Sequence, residues 1–264
     1  MTLKPNRIVL LVLVLLSSCT IHKANLEKTD VKTTDLNTLS QEFLQTIKDG
    51  KDTEAIQDRI ARITMDELTQ SLVNDAHKLA FWINIYNAYI QVILMKNPEA
   101  YEDKGNFFKK EQIPIAGELL SFEKIEHGII RKSRWSLGQG HIRKWFPNKL
   151  ERKLRVDKRD YRVHFALNCG AKDCPPVSIY YPEELEVQLN KGTELFLKQN
   201  SDYHPEKNEV AVTSLFNWFR GDFGGKQGIK KILKEFEVIP TTQNINVSYK
   251  NYDWTLDLNN WITL

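Results

Sequence analysis

The fold of this chain is set by one largely apolar segment, Phe81-Trp82-Ile83-Asn84-Ile85-Tyr86-Asn87-Ala88-Tyr89-Ile90-Gln91-Val92-Ile93-Leu94. A helix built on it has no wholly polar face, and such a helix is buried on most sides. We predict one helix from about Ala76 to Lys96. It ends before Pro98 because the residue that precedes a proline disfavours the helical backbone. This helix is the expected centre of the domain.

Asparagines interrupt the apolar surface of that helix. Asn84 and Asn87 lie near one stripe of it, and a buried amide without a partner costs about 1–3 kcal/mol. The stripe is therefore expected to face other polar groups, a wet cavity or a substrate. We take Asn84, Asn87 and Asn168 as candidate substrate-binding residues, with the fixing of neighbouring loop backbone as the alternative.

The remaining sequence predicts an α+β fold. Helical periodicity dominates before residue 100, and short strands are scattered after it. Gln112–Leu120 reads as a strand or hairpin, Tyr161–Asn168 alternates as a strand, and further strands are expected at 209–213 and 246–254. We predict a single domain whose helical N-terminal part, with the buried central helix, packs on a small, mostly antiparallel sheet.

Length and charge exclude several classes of protein. The chain has 264 residues, of which 41% are hydrophobic and 27% charged, so it is neither a disordered tail nor a membrane bundle. Lys and Arg number 37 against 34 Asp and Glu, a formal net charge of +3. This near-neutral balance gives no general attraction to nucleic acid, and we expect no nucleic-acid partner.

Residues 1–18 are a predicted lipoprotein signal peptide. Lys4 and Arg7 precede the apolar run Ile8–Leu16, which is too short to span about 30 Å of hydrocarbon. Leu16-Ser17-Ser18-Cys19 resembles a bacterial lipobox, in which the cysteine becomes the first residue of the mature protein and carries acyl chains such as palmitate. We therefore expect lipidation at Cys19.

An envelope location follows from this segment. Residues 19–34 lack apolar periodicity and are expected to form a flexible tether, and 35–264 to form the single globular domain. Thr20 stands where an aspartate would favour the inner membrane, so we favour the periplasmic face of the outer membrane. The expected partners are the membrane, through the lipid anchor only, and an unknown envelope protein or glycan.

Cys169 and Cys174 are the thiols that remain when Cys19 is lipidated. In an oxidising compartment a nearby isolated pair of cysteines favours a disulfide, which here would fix a local turn.

Residues 131–159 are strongly basic and contain Trp135 and Trp145. Such a run is usually a solvated face, and we assign it no function.

Several motifs occur in order along the chain: Phe81–Ala88, Ile125–Ile129, His164–Cys169, Cys174–Pro176, Trp218 with Asp222-Phe223, and Tyr252–Trp254. Together they resemble one family. The chain is similar over about residues 65–257 to the domain-of-unknown-function family five-four-seven, found in bacterial envelope proteins and plant multidomain proteins. The resemblance implies domain boundaries and candidate residues but no reaction. Where a serine is expected in the cysteine turn this chain has Ala171, so no hydroxyl nucleophile is assigned there.

Three chemical hypotheses fit these residues. In the first, a thiol-dependent hydrolase or acyltransferase, Cys169 is the nucleophile and His127 or His164 its base. Glu126, Asn168 or Asp253 would orient that base. The second is a structural zinc site formed by the two cysteines with His127 and His164.

The third hypothesis is structural: the cysteines form a disulfide, and the protein binds an envelope partner or glycan. A carboxylate set of Glu126, Asp222 and Asp253 for glycan hydrolysis is compatible with it. The expected polar centre needs no cofactor or metal. Its candidate catalytic residues are Glu126, His127, His164, Cys169 and Asp253, with Asn84, Asn87 and Asn168 for substrate binding.

Overall fold

The structure is a computed structural model that describes residues 35–264. The predicted signal peptide, Cys19 and the tether lie outside these residues. The α-helices are α1 (Leu36–Lys48), α2 (Glu54–Ala61), α3 (Met65–Ser71), α4 (Asp75–Lys96), α5 (Lys104–Lys109), α6 (Lys149–Leu154), α7 (Leu185–Asn200), α8 (Leu215–Trp218) and α9 (Gly225–Glu235). The strands are β1 (Ile113–Ile115), β2 (Glu118–Leu120), β3 (Asp202–His204), β4 (Glu209–Val212) and β5 (Asn246–Tyr249).

Helix α4 is the buried central helix that the sequence predicts. The side chain of Asn74 caps its first turn by accepting the backbone N–H of His77, and Asn97-Pro98 follows its last residue. Its main packing neighbours are α1 and a π-helix at Lys124–Ile130. None of the helices within the described part of the chain is long and apolar enough to cross a membrane.

Two hydrophobic clusters form the core. The larger one surrounds α4, and the smaller one joins α7, α8 and α9 to the three-stranded sheet β3-β4-β5. Strand β4 pairs antiparallel with β3 and parallel with β5. The α+β class is therefore confirmed, with the sheet in the smaller cluster while α4 packs chiefly among helices.

The predicted hairpin at Gln112–Leu120 is present as β1 and β2. These strands pair antiparallel with Ile113 opposite Leu120. The chain reverses at Ala116-Gly117, where both residues have positive φ angles of 55° and 73°. A tight reversal of this kind favours glycine because the left-handed backbone carries no penalty without a Cβ.

The predicted strand at Tyr161–Asn168 is wrong. Tyr161–Phe165 forms a 3-10 helix, which opens where a side-chain oxygen of Asp160 accepts the backbone N–H of Arg162 at 2.9 Å. The backbone N–H of Ala166 donates to the carbonyl of Val163 at 3.0 Å. The alternating pattern was misleading because residues 163–168 are buried on all sides, so both sets of alternate side chains face the core.

Candidate functional site

Four of the eight predicted site residues line one cleft of about 430 Å³. They are Glu126 and His127 from the π-helix, His164 from the 3-10 helix, and Cys169 from the turn that follows. Helices α4, α5 and α8 contribute further walls. The sequence-based grouping of these four side chains thus corresponds to one place in the fold.

The π-helix places two consecutive polar residues in this cleft. The backbone N–H of Arg131 donates to the carbonyl of Glu126 at 2.8 Å, and the N–H of Ser133 to that of Gly128 at 2.9 Å. These bonds span five residues, so the turn is wider than in an α-helix, a distortion frequent at functional sites. A Cβ on Gly128 would lie 2.9 Å from the side chain of Glu151, so only glycine fits there without displacing it.

Asp222 is the centre of a buried polar network beneath the cleft. Its Oδ2 accepts from Arg131 Nε at 2.7 Å and from His164 Nε2 at 2.9 Å, and its Oδ1 accepts from Arg159 Nη1 at 2.8 Å. Burial opposes ionisation, but the His164 hydrogen bond and the charge of Arg131 outweigh it and hold the pKa of Asp222 below its ordinary value. Asp222 is therefore a carboxylate at neutral pH.

His164 is a neutral imidazole of fixed orientation. Burial lowers its pKa to about 4, against the opposing hydrogen bond to Asp222. Because an ionised carboxylate only accepts, Nε2 carries the proton, and Nδ1 of the neutral ring is a lone-pair base. The ring stacks on Phe219, with centroids 4.0 Å apart and planes at 19°.

His127 has the opposite tautomer. Arg131 Nη1 donates to His127 Nδ1, and a guanidinium has no acceptor, so the neutral ring carries its proton on Nε2. Burial, and then the positive charge of Arg131, keep the pKa of His127 well below its usual range. His127 is therefore a neutral hydrogen-bond donor beside the cleft.

Glu126 has a carboxyl group whose pKa lies near neutral pH. Its side chain is 16% exposed, and Oε1 is buried without a hydrogen-bond partner among the described residues, 3.5 Å from His127 Nδ1. Burial raises the pKa of Glu126 to about 7, although the charge of Arg131 opposes the rise. At neutral pH the group is populated in both protonated and ionised forms.

Cys169 and Cys174 form the predicted disulfide. A sulfur in a disulfide is not a thiolate, so Cys169 is not a nucleophile in this form of the protein. Within residues 35–264, no group of three or more His, Cys, Asp or Glu side chains has the arrangement of a metal site. The histidines and cysteines proposed for zinc do not gather around one point there.

Aromatic side chains form one wall of the cleft. Trp218, Tyr252 and Trp254 lie with ring centroids 4.7–5.4 Å apart, and Trp218 stacks on Trp254 with planes at 24°. Trp254 is 38% exposed. We refer to these three residues as the aromatic wall.

None of the three candidate substrate-binding asparagines lines the cleft. Asn84 is fully buried, and its side-chain amide makes a pair of hydrogen bonds with the backbone of Tyr180, both 2.9 Å long. Asn87 and Asn168 are equally buried and are bonded to loop backbone. Their contacts therefore match the alternative to substrate binding, in which these amides fix the backbone of neighbouring loops.

Asp253 also lies apart from the other candidates. Its side chain is 41% exposed, accepts the backbone N–H of Thr255 at 2.9 Å and lies 3.5 Å from Lys172 Nζ. It caps a turn between two residues of the aromatic wall and does not line the cleft. The sequence did not predict that Asp222 and Arg131 form the network next to the cleft. Asp222 was noted only within a motif and a possible carboxylate set, and Arg131 only within a basic run.

Together the fold and site define an α+β domain with a buried Arg-Asp-His network under an aromatic-walled cleft. A family model described as "Protein of unknown function, DUF547" matches residues 70–197. This match confirms, over that range, the resemblance predicted from the motifs. The match includes Glu126, His127, His164 and Cys169, whereas Asp222 and the aromatic wall lie beyond it. No curated protein and no solved structure matches the chain.

Proposed function

We propose that this protein is a lipid-anchored enzyme of the cell envelope that hydrolyses a glycan by acid–base catalysis in the cleft. Glu126 is the general acid, and His164, oriented by Asp222, is the general base. The observation that carries the proposal is the convergence of these side chains in one cleft with an aromatic wall.

The proposed reaction is the attack of water on a glycosidic carbon. His164 Nδ1 takes a proton from the water, whose oxygen forms the new bond to carbon. Glu126 gives its proton to the departing oxygen as the old carbon–oxygen bond breaks. Both groups are in the state that this requires, because burial keeps His164 neutral and a large share of Glu126 protonated near neutral pH.

His127 and Arg131 support this chemistry by position. The Nε2–H of His127 can donate to a substrate oxygen, and Arg131 fixes both His127 and Asp222. The aromatic wall suits a carbohydrate because the C–H faces of a sugar ring pack on tryptophan and tyrosine rings. Asp222 is engaged by two arginines and a histidine, so it acts through His164 and not on the substrate directly.

The envelope location is part of the same proposal. Its support is the predicted signal peptide with the lipobox at Cys19, and the disulfide Cys169–Cys174, which is typical of an oxidising compartment. Growth with labelled palmitate tests it. We expect label on the native protein and none on a Cys19→Ala variant; equal labelling of both would refute lipidation at Cys19.

Hydrolysis is tested with the full-length protein on two probes, purified peptidoglycan sacculi and chitohexaose, by counting the reducing ends released. We expect Glu126→Gln and His164→Gln to lose activity about 100-fold or more. The glutamine side chain of the second variant can still donate an amide N–H to Asp222, but it cannot take a proton from water. Glu183→Gln, on an exposed carboxylate remote from the cleft, is the matched control. Full activity in Glu126→Gln would exclude the proposed acid.

A thiol-dependent hydrolase is the second candidate because Cys169 lines the same cleft. It requires that the disulfide be reduced, which frees a thiol in the cleft that His127 and His164 also line. The two candidates are separated by reductant: thiol catalysis appears only in the reduced protein, whereas acid–base catalysis is present in the oxidised protein.

A further inference from the structure

We propose that the segment 132–149 docks on the anionic surface of a phospholipid bilayer. This segment, called the docking loop below, holds a cluster of exposed large apolar side chains. Trp145 is 84% exposed, Phe146 93% and Leu137 75%, and Trp135 and Ile142 are each 49% exposed. The inference adds a second membrane contact to the proposed lipid anchor and is independent of the hydrolytic chemistry.

Backbone hydrogen bonds hold the docking loop in shape. The N–H of Trp135 donates to the carbonyl of Ile142 at 3.1 Å, and the N–H of Lys144 donates to that of Ser133 at 2.8 Å. At the tip, the carbonyl of Gln139 accepts the N–H of Gly221 at 2.7 Å. The apolar side chains are therefore displayed on a frame tied to the domain, which lowers the entropy cost of placing them in a membrane.

The charge of the docking loop matches an anionic surface. Between His127 and Leu150 the sequence contains no Asp or Glu. Arg143 is exposed next to Ile142, whereas Lys144 is paired with the buried carboxylate of Glu151 at 2.8 Å, so among the described residues Arg143 is the cation beside the apolar side chains that is free to meet lipid. Basic residues near a membrane surface each contribute about 1 kcal/mol of attraction to anionic lipids. The basic residues of the loop are Lys132, Arg134, Arg143, Lys144 and Lys149.

A bilayer fits these features better than a protein or a nucleic acid. Tryptophan is enriched where a polypeptide meets the boundary between headgroups and acyl chains, and lysine and arginine side chains reach from that depth to the phosphates. Exposed phenylalanine and leucine beside them add apolar surface for the acyl boundary. Nucleic-acid binding would use the same charges, but Leu137, Ile142 and Phe146 have no counterpart in a phosphate backbone.

The length of the tether keeps the docking loop near a membrane. If lipid is attached at Cys19, residues 19–34 span at most about 55 Å when fully extended. The bilayer surface is then always within reach of the domain. Because Ser136 of the docking loop also lines the cleft, docking would place the opening of the cleft beside the membrane surface.

Tryptophan quenching on vesicles tests this inference in the full chain. The vesicles are phosphatidylcholine alone, or an equimolar mixture with phosphatidylglycerol, and both carry brominated acyl chains that quench tryptophans in contact with lipid. We expect stronger quenching on the anionic vesicles, and loss of most of it in the double variant Trp135→Phe/Trp145→Phe. Arg143→Gln should weaken docking on anionic vesicles about fivefold.

Trp261→Phe is the matched control, since Trp261 is a partly buried tryptophan packed on the main core. It should leave the quenching unchanged. Absence of quenching on anionic vesicles, the result expected if the loop binds a protein instead, overturns the inference, and so does equal quenching in the double variant and the native chain. Chitohexaose is soluble, so its hydrolysis reports on the proposed function separately.

Discussion

The side-chain amide of Asn87 in helix α4 brackets the backbone just before the cysteine turn at Asn168. Its Oδ1 accepts the backbone N–H of Asn168 at 2.8 Å, and its Nδ2 donates to the carbonyl of Ala166 at 3.0 Å. Both partners are buried, so the amide replaces the pairing that a neighbouring strand would give. The route of the chain from His164 to Cys169 therefore depends on a helix about eighty residues earlier.

Asn87→Ala is expected to destabilise the protein by about 2–4 kcal/mol. It leaves one backbone N–H and one carbonyl buried without partners, each costing about 1–3 kcal/mol when unsatisfied. Urea unfolding measures the change in free energy. Asn259→Ala, at an exposed asparagine, should change stability by less than about 0.5 kcal/mol. A similar stability for both variants would mean that the two Asn87 hydrogen bonds do not contribute to the stability of the fold.

Asp222→Asn should lower the free energy of unfolding of the domain and abolish hydrolysis. The variant leaves the guanidinium of Arg131, 1% exposed, without its charge partner, and breaking a buried pair costs about 3–5 kcal/mol. Chemical denaturation gives the stability. Asp202→Asn removes an exposed partner of Lys250 and should cost at most about 1 kcal/mol. The prediction fails if the two variants lose equal stability.

The pH dependence of hydrolysis should be bell-shaped. Activity rises as His164 loses its proton, with a pKa of about 4, and falls as Glu126 loses its proton, with a pKa of about 7. The optimum therefore lies between these two values. The measurement is kcat/KM on chitohexaose from pH 3 to 9. A rate that still increases above pH 7 would be incompatible with Glu126 as the acid.

Glu126→Gln should stabilise the protein at alkaline pH while removing activity. The pKa of Glu126 is raised from 4.5 to about 7 by folding, so its favourable contribution is complete below 4.5 and is lost as the pH rises through 7. Glutamine has no proton to lose. Thermal unfolding should show equal stability at pH 4 and an advantage for the variant approaching about 3 kcal/mol at pH 8. An advantage that is the same at both pH values would contradict this linkage.

Reduction of the disulfide should have a small effect on stability and should not activate hydrolysis. The cysteines are five positions apart, and closing so short a loop contributes about 2 kcal/mol on the chain-entropy model. The protein is assayed before and after treatment with dithiothreitol, with free thiols counted by alkylation. Activity that grows in proportion to free Cys169 would instead favour thiol catalysis.

Much of the fold could be predicted because burial leaves a periodic signal. Helix α4 has apolar residues on every face, and the hairpin β1–β2 has turn residues between short apolar runs. The predicted strand at Tyr161–Asn168 is wrong for a physical reason: alternation indicates a strand only when one set of side chains faces solvent. Here both sets are buried, and a side-chain cap at Asp160 starts a 3-10 turn that no pattern of hydrophobicity distinguishes.

The candidate site could be predicted in part for a similar reason. Glu126, His127, His164 and Cys169 are unusual residue types in otherwise apolar surroundings, so each attracts notice alone. The role of Asp222 depends on contacts with Arg131, Arg159 and His164, which lie 58–91 residues away along the chain. A sequence does not show which of many acids meets which of many bases across such separations.

The turn closed by Cys169 and Cys174 is also where a distant part of the chain attaches. The N–H of Asp257 donates to the carbonyl of Gly170 at 2.8 Å, and the N–H of Lys172 donates to that of Thr255 at 2.8 Å. These bonds position Tyr252 and Trp254, which complete the cleft. A fragment limited to residues 70–197 therefore has no finished cleft, and in a growing chain the site matures only after the segment at 252–257 has been made and has returned to the cysteine turn.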